Sequence, residues 1–133
     1  METKKQELTI HLNLLKKALR TLEAILQEPY TLIVRDAAIQ RFEYTFELSW
    51  KLFRKVAKLE GIEVVSPRQA IRTANDLGLL DDVDIWFEFV ESRNLTSHTY
   101  DELTADEVFE SAKQLPSRLS PVIQTIERKF LRD

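Results

Sequence analysis

The first fifth of the chain repeats leucine at alternating spacings of four and three residues. The leucines are Leu8, Leu12, Leu15, Leu19, Leu22 and Leu26. This period is typical of a seam between packed helices, and Leu14, Ala18 and Ile25 widen the apolar arc enough to contact two neighbours. Because a residue before proline is pushed out of helical geometry, the pattern predicts a first helix that ends at Pro29.

A second apolar pattern predicts a helix from about Asp36 to Leu59. One side carries Ile39, Phe42, Phe46, Phe53 and Val56, with Leu48, Leu52 and Leu59 beside it. Gly61 is expected to end this helix because glycine adopts the conformation required after a helix C-terminus. Between the two apolar sides runs a charged ribbon, which consists of Glu43, Glu47, Lys51 and Arg54.

Capping patterns predict two shorter helices in the middle of the chain. In Ser66-Pro67-Arg68-Gln69 the serine is placed as the cap, the proline at the first helical position and the glutamine at the third. A short helix is therefore expected to reach Leu77, with Gly78 after it. Asp82 or Asp84 then caps a further helix that runs through Trp86 to about Leu95.

The last predicted helix opens with the capping box Thr104-Ala-Asp-Glu107, and Leu103 with Val108 are placed as its hydrophobic staple. Its apolar stripe continues to Phe130. Pro116 and Pro121 fall inside this pattern, so we expect a kink or a break near one of them.

These elements predict an all-α fold, an up-and-down four-helix bundle with one short extra helix. The composition agrees, since the chain has only 2 glycines and 4 prolines, with 44% hydrophobic and 31% charged residues. No strand pattern, repeat or linker is visible. The length of 133 residues fits a single domain, residues 1–133, with a core of its own.

Composition also limits the classes of function. The chain has no cysteine, which excludes disulfides, thiolate metal sites and cysteine nucleophiles. With no apolar run near the ~20 residues of a membrane span and no signal-peptide pattern at its start, a soluble cytoplasmic protein is expected. The net charge of -3 argues against a broad basic surface for nucleic acid, so any RNA contact must be local.

Most of the residues suited to chemistry fall between Glu91 and Tyr100. Arg93 offers a permanently charged planar fork that fits phosphate oxygens. His98 can accept or release a proton near neutral pH. Together they suit the cleavage of a phosphodiester bond.

The periodicity places Arg93 on the apolar face of its helix, beside Trp86, Phe89 and Val90. Because a buried arginine requires a partner, it either pairs with Glu43 or Glu47 of the second helix, lies at a dimer seam, or belongs to a functional site that also uses the pairing. His98 would diverge from it on a straight helix. The helix is therefore expected to end near Thr96 or Ser97.

The spacing Arg93-x4-His98-x-Tyr100, with Asn94 after the arginine, resembles the HEPN ribonuclease motif. Together with Arg68-Gln-Ala-Ile71, Gly78-Leu-Leu80 and the segment from Arg41 to Lys51, the motif is similar to the nucleotidyltransferase substrate-binding branch of HEPN proteins. The resemblance covers residues from about 38 to 100, and the flanking helices match in character only.

This resemblance implies a helical bundle that is the toxin of a toxin–antitoxin pair. Such a toxin is a metal-independent, cofactor-free endoribonuclease whose site lies at a homodimer interface, with RNA as substrate and tRNA as one candidate. Arg93 would hold the scissile phosphate, His98 would transfer the proton, and Asn94 would orient substrate or partner groups. A cognate minimal nucleotidyltransferase, the antitoxin, would adenylylate Tyr100.

Two other functions remain open. One is a non-catalytic substrate-binding subunit of a two-component nucleotidyltransferase, and the other is a bundle that only dimerises and acts as a scaffold. The chain lacks the patterns of a nucleotidyltransferase active site, so it is not expected to transfer nucleotides itself.

Less specialised roles are also open for individual residues. His98 can be a solvent-facing loop histidine, and Tyr100 a half-buried ring whose hydroxyl is hydrogen-bonded. His11 is expected to be structural or on the surface. No metal site is predicted, since Asp81, Asp82 and Asp84 resemble helix caps, and Glu43 and Glu47 lack the Glu-x-x-His partner of carboxylate metal bundles.

Overall fold

The computed structural model describes residues 2–132, which form five α-helices and two short helical turns. The helices are α1 (Glu2–Leu26), α2 (Leu32–Leu59), α3 (Pro67–Asp76), α4 (Val83–Asn94) and α5 (Glu102–Ile126). A 3-10 turn, Thr96–His98, joins α4 to α5, and a π-helical turn, Glu127–Leu131, follows α5. No strand occurs in residues 2–132. The predicted all-α fold is confirmed.

Contacts at the two ends of the bundle define its up-and-down order. At one end, Arg35 near the start of α2 contacts Glu102 at the start of α5, with 2.7 Å between Nη1 and Oε2. At the other end, Arg118 in the second half of α5 lies 3.9 Å from Asp81, just before α4. The helices α4 and α5 are therefore antiparallel. The short α3 packs on α2 and α4 as the extra helix.

The core is built from the predicted leucine seam of α1 and the aromatic face of α2, closed by α4. Phe42, Phe46, Phe53, Trp86 and Phe89 are all buried. Trp86 meets Phe53 and Phe89 edge to face, with ring centroids 5.3 Å and 5.2 Å apart, a favourable arrangement for aromatic pairs. This packing fixes α4 against α2 and brings the C-terminal end of α4 beside the charged ribbon.

Leu14 and Phe87 are apolar side chains that the core does not fully bury. Leu14 is exposed. Phe87 is only partly buried, and the guanidinium groups of Arg68 and Arg72 on α3 lie over its ring. A cation over an aromatic face is stabilising, so Phe87 serves the contact between α3 and α4 at the surface.

Most predicted helix ends are confirmed. The side chains of Ser66 and Asp82 accept hydrogen bonds from backbone N–H groups at the starts of α3 and α4. Gly61 ends α2 with a positive φ of 75°, a conformation that favours glycine. The helix α2 begins at Leu32, four residues earlier than predicted, because Thr31 caps it by accepting from the N–H of Val34.

The start of α5 differs from the prediction. Asp101, not Thr104, is the cap, and its carboxylate accepts from both the N–H and the hydroxyl of Thr104. Leu103 is exposed, so the predicted staple with Val108 is wrong. The helix also continues through Pro116 and Pro121 without a break, since Leu115, Leu119 and Val122 hold it against the core. Within residues 2–132, no helix has the length and apolar character to cross a bilayer.

Candidate functional site

An open cleft of about 430 Å³ lies between α2 and the end of α4. The lining comes from α2 and from the segment that ends α4 and begins the 3-10 turn: Glu43, Tyr44, Glu47, Arg93, Asn94, Thr96 and Ser97. The structure thus brings together Arg93, Asn94, Glu43 and Glu47, which the sequence singled out from separate parts of the chain.

Arg93 forms an ion pair with Glu47 at the floor of this cleft. Its Nε atom lies 2.9 Å from Oε1 of Glu47, and the two side chains are 27% and 31% exposed. The N–H direction is too oblique for a hydrogen bond, so the contact is mainly one of charge. Oε2 of Glu47 also accepts from the indole N–H of Trp50 at 3.1 Å. Glu47 is therefore fixed from two sides.

The rest of the Arg93 guanidinium is available to a ligand. It makes no other ion pair or hydrogen bond within the part of the chain that the structure describes. Because guanidinium groups bind phosphate through two parallel N–H donors, an arginine whose two Nη groups make no ion pair or hydrogen bond among the described residues keeps the geometry that such binding requires.

Glu43 contacts the 3-10 turn and not Arg93. Oγ1 of Thr96 lies 2.5 Å from Oε2 of Glu43 and 2.7 Å from the carbonyl oxygen of Arg93, and its hydroxyl can donate to either. This contact ties the turn to α2. Sequence reasoning did not identify Thr96 as a site residue, although Thr96 follows Arg93 by three positions, the spacing of a threonine that caps the carbonyl end of a helix turn.

His98 and Tyr100 form a second group next to the cleft. As expected, α4 ends before His98, which closes the 3-10 turn. The imidazole is exposed, and its Nδ1 atom lies 3.1 Å from the hydroxyl oxygen of Tyr100, with the two rings edge to face. Which atom donates depends on the tautomer, but Nε2 has no partner among the described residues in either case.

Within one chain, His98 does not line the Arg93 cleft. The residue before it, Ser97, does line the cleft, so His98 lies one position beyond the lining residues. In the single chain, His98 is therefore a solvent-facing histidine, which was one of the alternatives for this residue. The alternative of a half-buried Tyr100 is excluded, because its ring is 82% exposed.

His11, the other histidine, has a structural role. It is buried on α1, and its Nε2 lies 2.8 Å from the carbonyl oxygen of Leu48 on α2. A carbonyl only accepts, so Nε2 carries the hydrogen. Burial lowers the pKa of His11, and the positive charges of Lys55, Lys51 and Arg54 lower it further. His11 is thus held neutral and away from the cleft.

The carboxylates before α4 are occupied by structural contacts. Asp82 caps the helix, and Asp81 lies near Arg118. Across residues 2–132, no group of three or more histidine and acidic side chains is arranged to hold a metal ion.

Comparisons of the sequence with known proteins identify a family and a relative of this chain. A sequence profile described as "Nucleotidyltransferase substrate binding protein like" matches residues 10–127. A Haemophilus influenzae protein named "Probable ribonuclease HepT" is 34% identical over 86 residues, which cover 58% of this chain and 59% of that protein. The match therefore spans less than two-thirds of that relative.

Two solved structures share the fold over nearly their whole length. A crystal structure from Thermus thermophilus has 38% identity and a TM-score of 0.79, covering 86% of this chain and 99% of its own. A Haemophilus influenzae structure, described as revealing the fold of a substrate binding domain of a nucleotidyltransferase, has 26% identity and a TM-score of 0.76. The second match covers 87% of this chain and 98% of that one.

Proposed function

Because the chain belongs to the nucleotidyltransferase substrate binding protein-like family, as its sequence predicted, we propose that it is a HEPN-type toxin that cleaves RNA without a metal ion. The observation that carries this proposal is the Arg93 guanidinium, which pairs by charge with Glu47 in an open cleft and is followed five positions later by an exposed imidazole. The relative named as a probable ribonuclease supports the same activity.

The proposed reaction uses the 2'-hydroxyl of the RNA as nucleophile. Its oxygen attacks the adjacent phosphorus while a base removes its proton, the bond from phosphorus to the 5'-oxygen breaks, and an acid protonates that oxygen. The products are a 2',3'-cyclic phosphate and a 5'-hydroxyl. Arg93 stabilises the charge on the phosphate oxygens, the free Nε2 of His98 transfers a proton, and Asn94 orients the substrate.

A homodimer supplies both proton carriers. One chain contributes a single suitable imidazole, whereas a two-fold axis beside the 3-10 turn would face two copies of Arg93 and His98 across one groove. Exposed apolar side chains at this end of the bundle support such an interface: Leu32, Ile33, Tyr100 and Leu103. Arg35 joins the start of α2 to the start of α5 through its contacts with Glu102 and Asp106.

Tyr100 is the proposed point of control by a cognate minimal nucleotidyltransferase, the antitoxin. The phenolic oxygen would attack the α-phosphate of ATP, forming a new P–O bond as pyrophosphate leaves and the phenolic proton is released. The AMP group would place a negative charge and an adenosine beside His98, where both oppose the approach of RNA phosphates.

A non-catalytic role is the second candidate function. The solved relative described as a substrate binding domain and the net charge of -3 favour it. In that role the same cleft presents a substrate to the nucleotidyltransferase, and no RNA is cut.

Cleavage of RNA in EDTA distinguishes the two candidates. The wild-type protein is expected to cut tRNA or total RNA, whereas Arg93→Ala and His98→Ala slow cleavage by roughly 100-fold or more, the usual contribution of such groups. Arg20→Ala, which changes an exposed arginine on α1, is the matched control and should cleave normally. Intact RNA with every protein, together with tight binding to the nucleotidyltransferase, would establish the non-catalytic role instead.

A further inference from the structure

Four cations occupy one face of the second half of α2. Lys51, Arg54, Lys55 and Lys58 follow one another at spacings of three, one and three residues, which places them along one side of a helix. We call these four residues the α2 basic stripe. Their concentration contrasts with a chain whose net charge is -3.

Within residues 2–132, carboxylates lie near the stripe without forming ion pairs with it, among them Glu7, which lines a small cleft together with Lys55 and Lys58. None of its four side chains forms an ion pair in the described part of the chain, whereas Arg35, Arg68 and Arg118 all contact carboxylates. Arg54 instead lies over the ring of Trp50, 5.0 Å from its centroid. Like charges four residues apart destabilise a helix, and only Lys58, in the last turn of α2, gains from the helix dipole, so helix stability does not explain the whole stripe.

The stripe borders an open cleft that is distinct from the Arg93 cleft. This second cleft has a volume of about 600 Å³, and Arg54, Lys55 and Lys58 form one of its walls. The loop after α2 forms the other wall, with the apolar Ile62 and Val64 and the acidic Glu63. No ion pair joins Glu63 to the stripe within residues 2–132, so the cations stay available to a ligand.

The stripe continues the surface of α2 that carries the candidate site. Lys58 follows Glu47, the partner of Arg93, by eleven positions, a distance of about 16 Å along a helix at 1.5 Å per residue. We propose that the α2 basic stripe binds the sugar–phosphate backbone of a single-stranded RNA whose scissile phosphate lies at Arg93. This inference rests on the proposed ribonuclease function and adds to it the surface that holds the substrate.

Nucleic acid fits the stripe better than an acidic protein surface does. A row of cations along an open groove matches the regular charges of a backbone, and such grooves bind single strands of four or more nucleotides. Protein interfaces, by contrast, have cores depleted in charged residues and rich in aromatic ones. The wall that faces the stripe offers aliphatic side chains and no aromatic ring for base stacking, so the proposed binding rests on contacts between the cations and the phosphates.

RNA binding by charge-matched variants tests this inference. The probe is a fluorescent RNA of about 12 nucleotides, within the range that such grooves hold, with 2'-O-methyl groups so that it cannot be cut. One variant combines Lys51→Gln, Lys55→Gln and Lys58→Gln. The control combines Lys17→Gln, Arg20→Gln and Arg128→Gln, which removes the same charge from exposed residues elsewhere.

We expect the stripe variant to bind at least tenfold more weakly at low salt, while the control stays within about twofold of wild type. The slope of log Kd against log salt concentration should also be smaller by about 2 in the stripe variant, since each single-strand phosphate contact contributes about 0.7 to this slope. Glutamine is a good helix former, and circular dichroism of both variants checks that the fold is kept. Equal weakening of the two variants, or none in the stripe variant, would overturn the proposal.

Three further outcomes separate this inference from the ribonuclease function. Wild-type protein that binds through the stripe but cuts no RNA leaves the stripe valid and removes the proposed activity. If wild type cleaves RNA and the stripe variant binds and cleaves RNA equally well, the ribonuclease activity stands and the proposed role of the stripe is overturned. Normal RNA binding by the stripe variant with loss of the nucleotidyltransferase complex would reassign the stripe to an acidic protein partner and overturn its role in RNA binding.

Discussion

At the residue scale, the three tyrosines differ in their access to a modifying enzyme. Tyr100 is 82% exposed, compared with 57% for Tyr30 and 37% for Tyr44. Tyr30 packs against the ring of Phe109, and the hydroxyl of Tyr44 contacts Thr21. Tyr100 contacts the imidazole of His98, so a group added to its oxygen would act directly on the proposed proton carrier.

Mass measurement after co-expression with the cognate nucleotidyltransferase tests the modification of Tyr100. The wild-type chain should gain the mass of one AMP group and lose the proposed ribonuclease activity, and Tyr100→Phe should gain no mass because it lacks the phenolic oxygen. Tyr30→Phe is the matched control and should be modified like wild type. An adduct that persists in Tyr100→Phe, or the absence of any adduct on wild type, would contradict this role.

The partner of Arg93 shows what the sequence could and could not predict about single residues. The apolar face of α4 required a carboxylate near Arg93 but left Glu43 and Glu47 as equal candidates. The choice depends on the axial position of α4 against α2, which is set by the packing of Trp86 on Phe46 and Phe53. The residue pattern of a single helix does not predict its axial position against another helix.

At the element scale, long-range contacts decide where helices begin. The sequence predicted Thr104 as the cap of α5 because its capping box was complete. In the structure, Arg35 of α2 contacts Glu102 and Asp106, which are four residues apart. A helix brings two such side chains within reach of one guanidinium, whereas a strand would separate them by about 13 Å. The guanidinium thereby extends α5 to Glu102, and it lowers the pKa of that carboxyl by a hydrogen bond and by its charge.

The buried contact between α1 and α2 makes stability depend on pH. Because the pKa of His11 is lowered in the folded chain, the unfolded chain binds more protons below the ordinary histidine pKa of about 6.5. The stability from neutral His11 is therefore complete above that pH and is lost as pH falls through the lower folded pKa.

Urea unfolding at several pH values between about 7.5 and 5.5, around the ordinary histidine pKa, tests this dependence. The free energy of unfolding of wild type should fall with pH by up to about 1.4 kcal/mol per unit. His11→Gln keeps an N–H donor for the carbonyl of Leu48 and should lose most of this slope. Asp101 and Glu102 have lowered pKa values and so titrate below this range. The same slope in both proteins would contradict the role of His11.

At the scale of the whole molecule, the sequence predicted the bundle but not where His98 lies relative to the Arg93 cleft. Helical periodicity was enough to predict the fold because each long helix carries a continuous apolar face. The distance between Arg93 and His98 across the proposed homodimer is not contained in such a pattern, since a dimer seam and a bundle core look alike along one chain. The imidazole of His98 is exposed beside a cleft that it does not line. The proposed two-fold axis would complete that site with the imidazole of a second copy.

The end groups of the cleaved RNA test the central claim most directly. In EDTA, we expect wild-type protein to produce 2',3'-cyclic phosphate and 5'-hydroxyl ends, and to leave intact the same RNA with a single 2'-deoxy nucleotide before the cleaved bond. Arg93→Ala should cut neither RNA at a comparable rate. Equal cleavage of the deoxy-substituted RNA, or wild-type rates in Arg93→Ala, would contradict a site in which Arg93 stabilises attack by the 2'-oxygen.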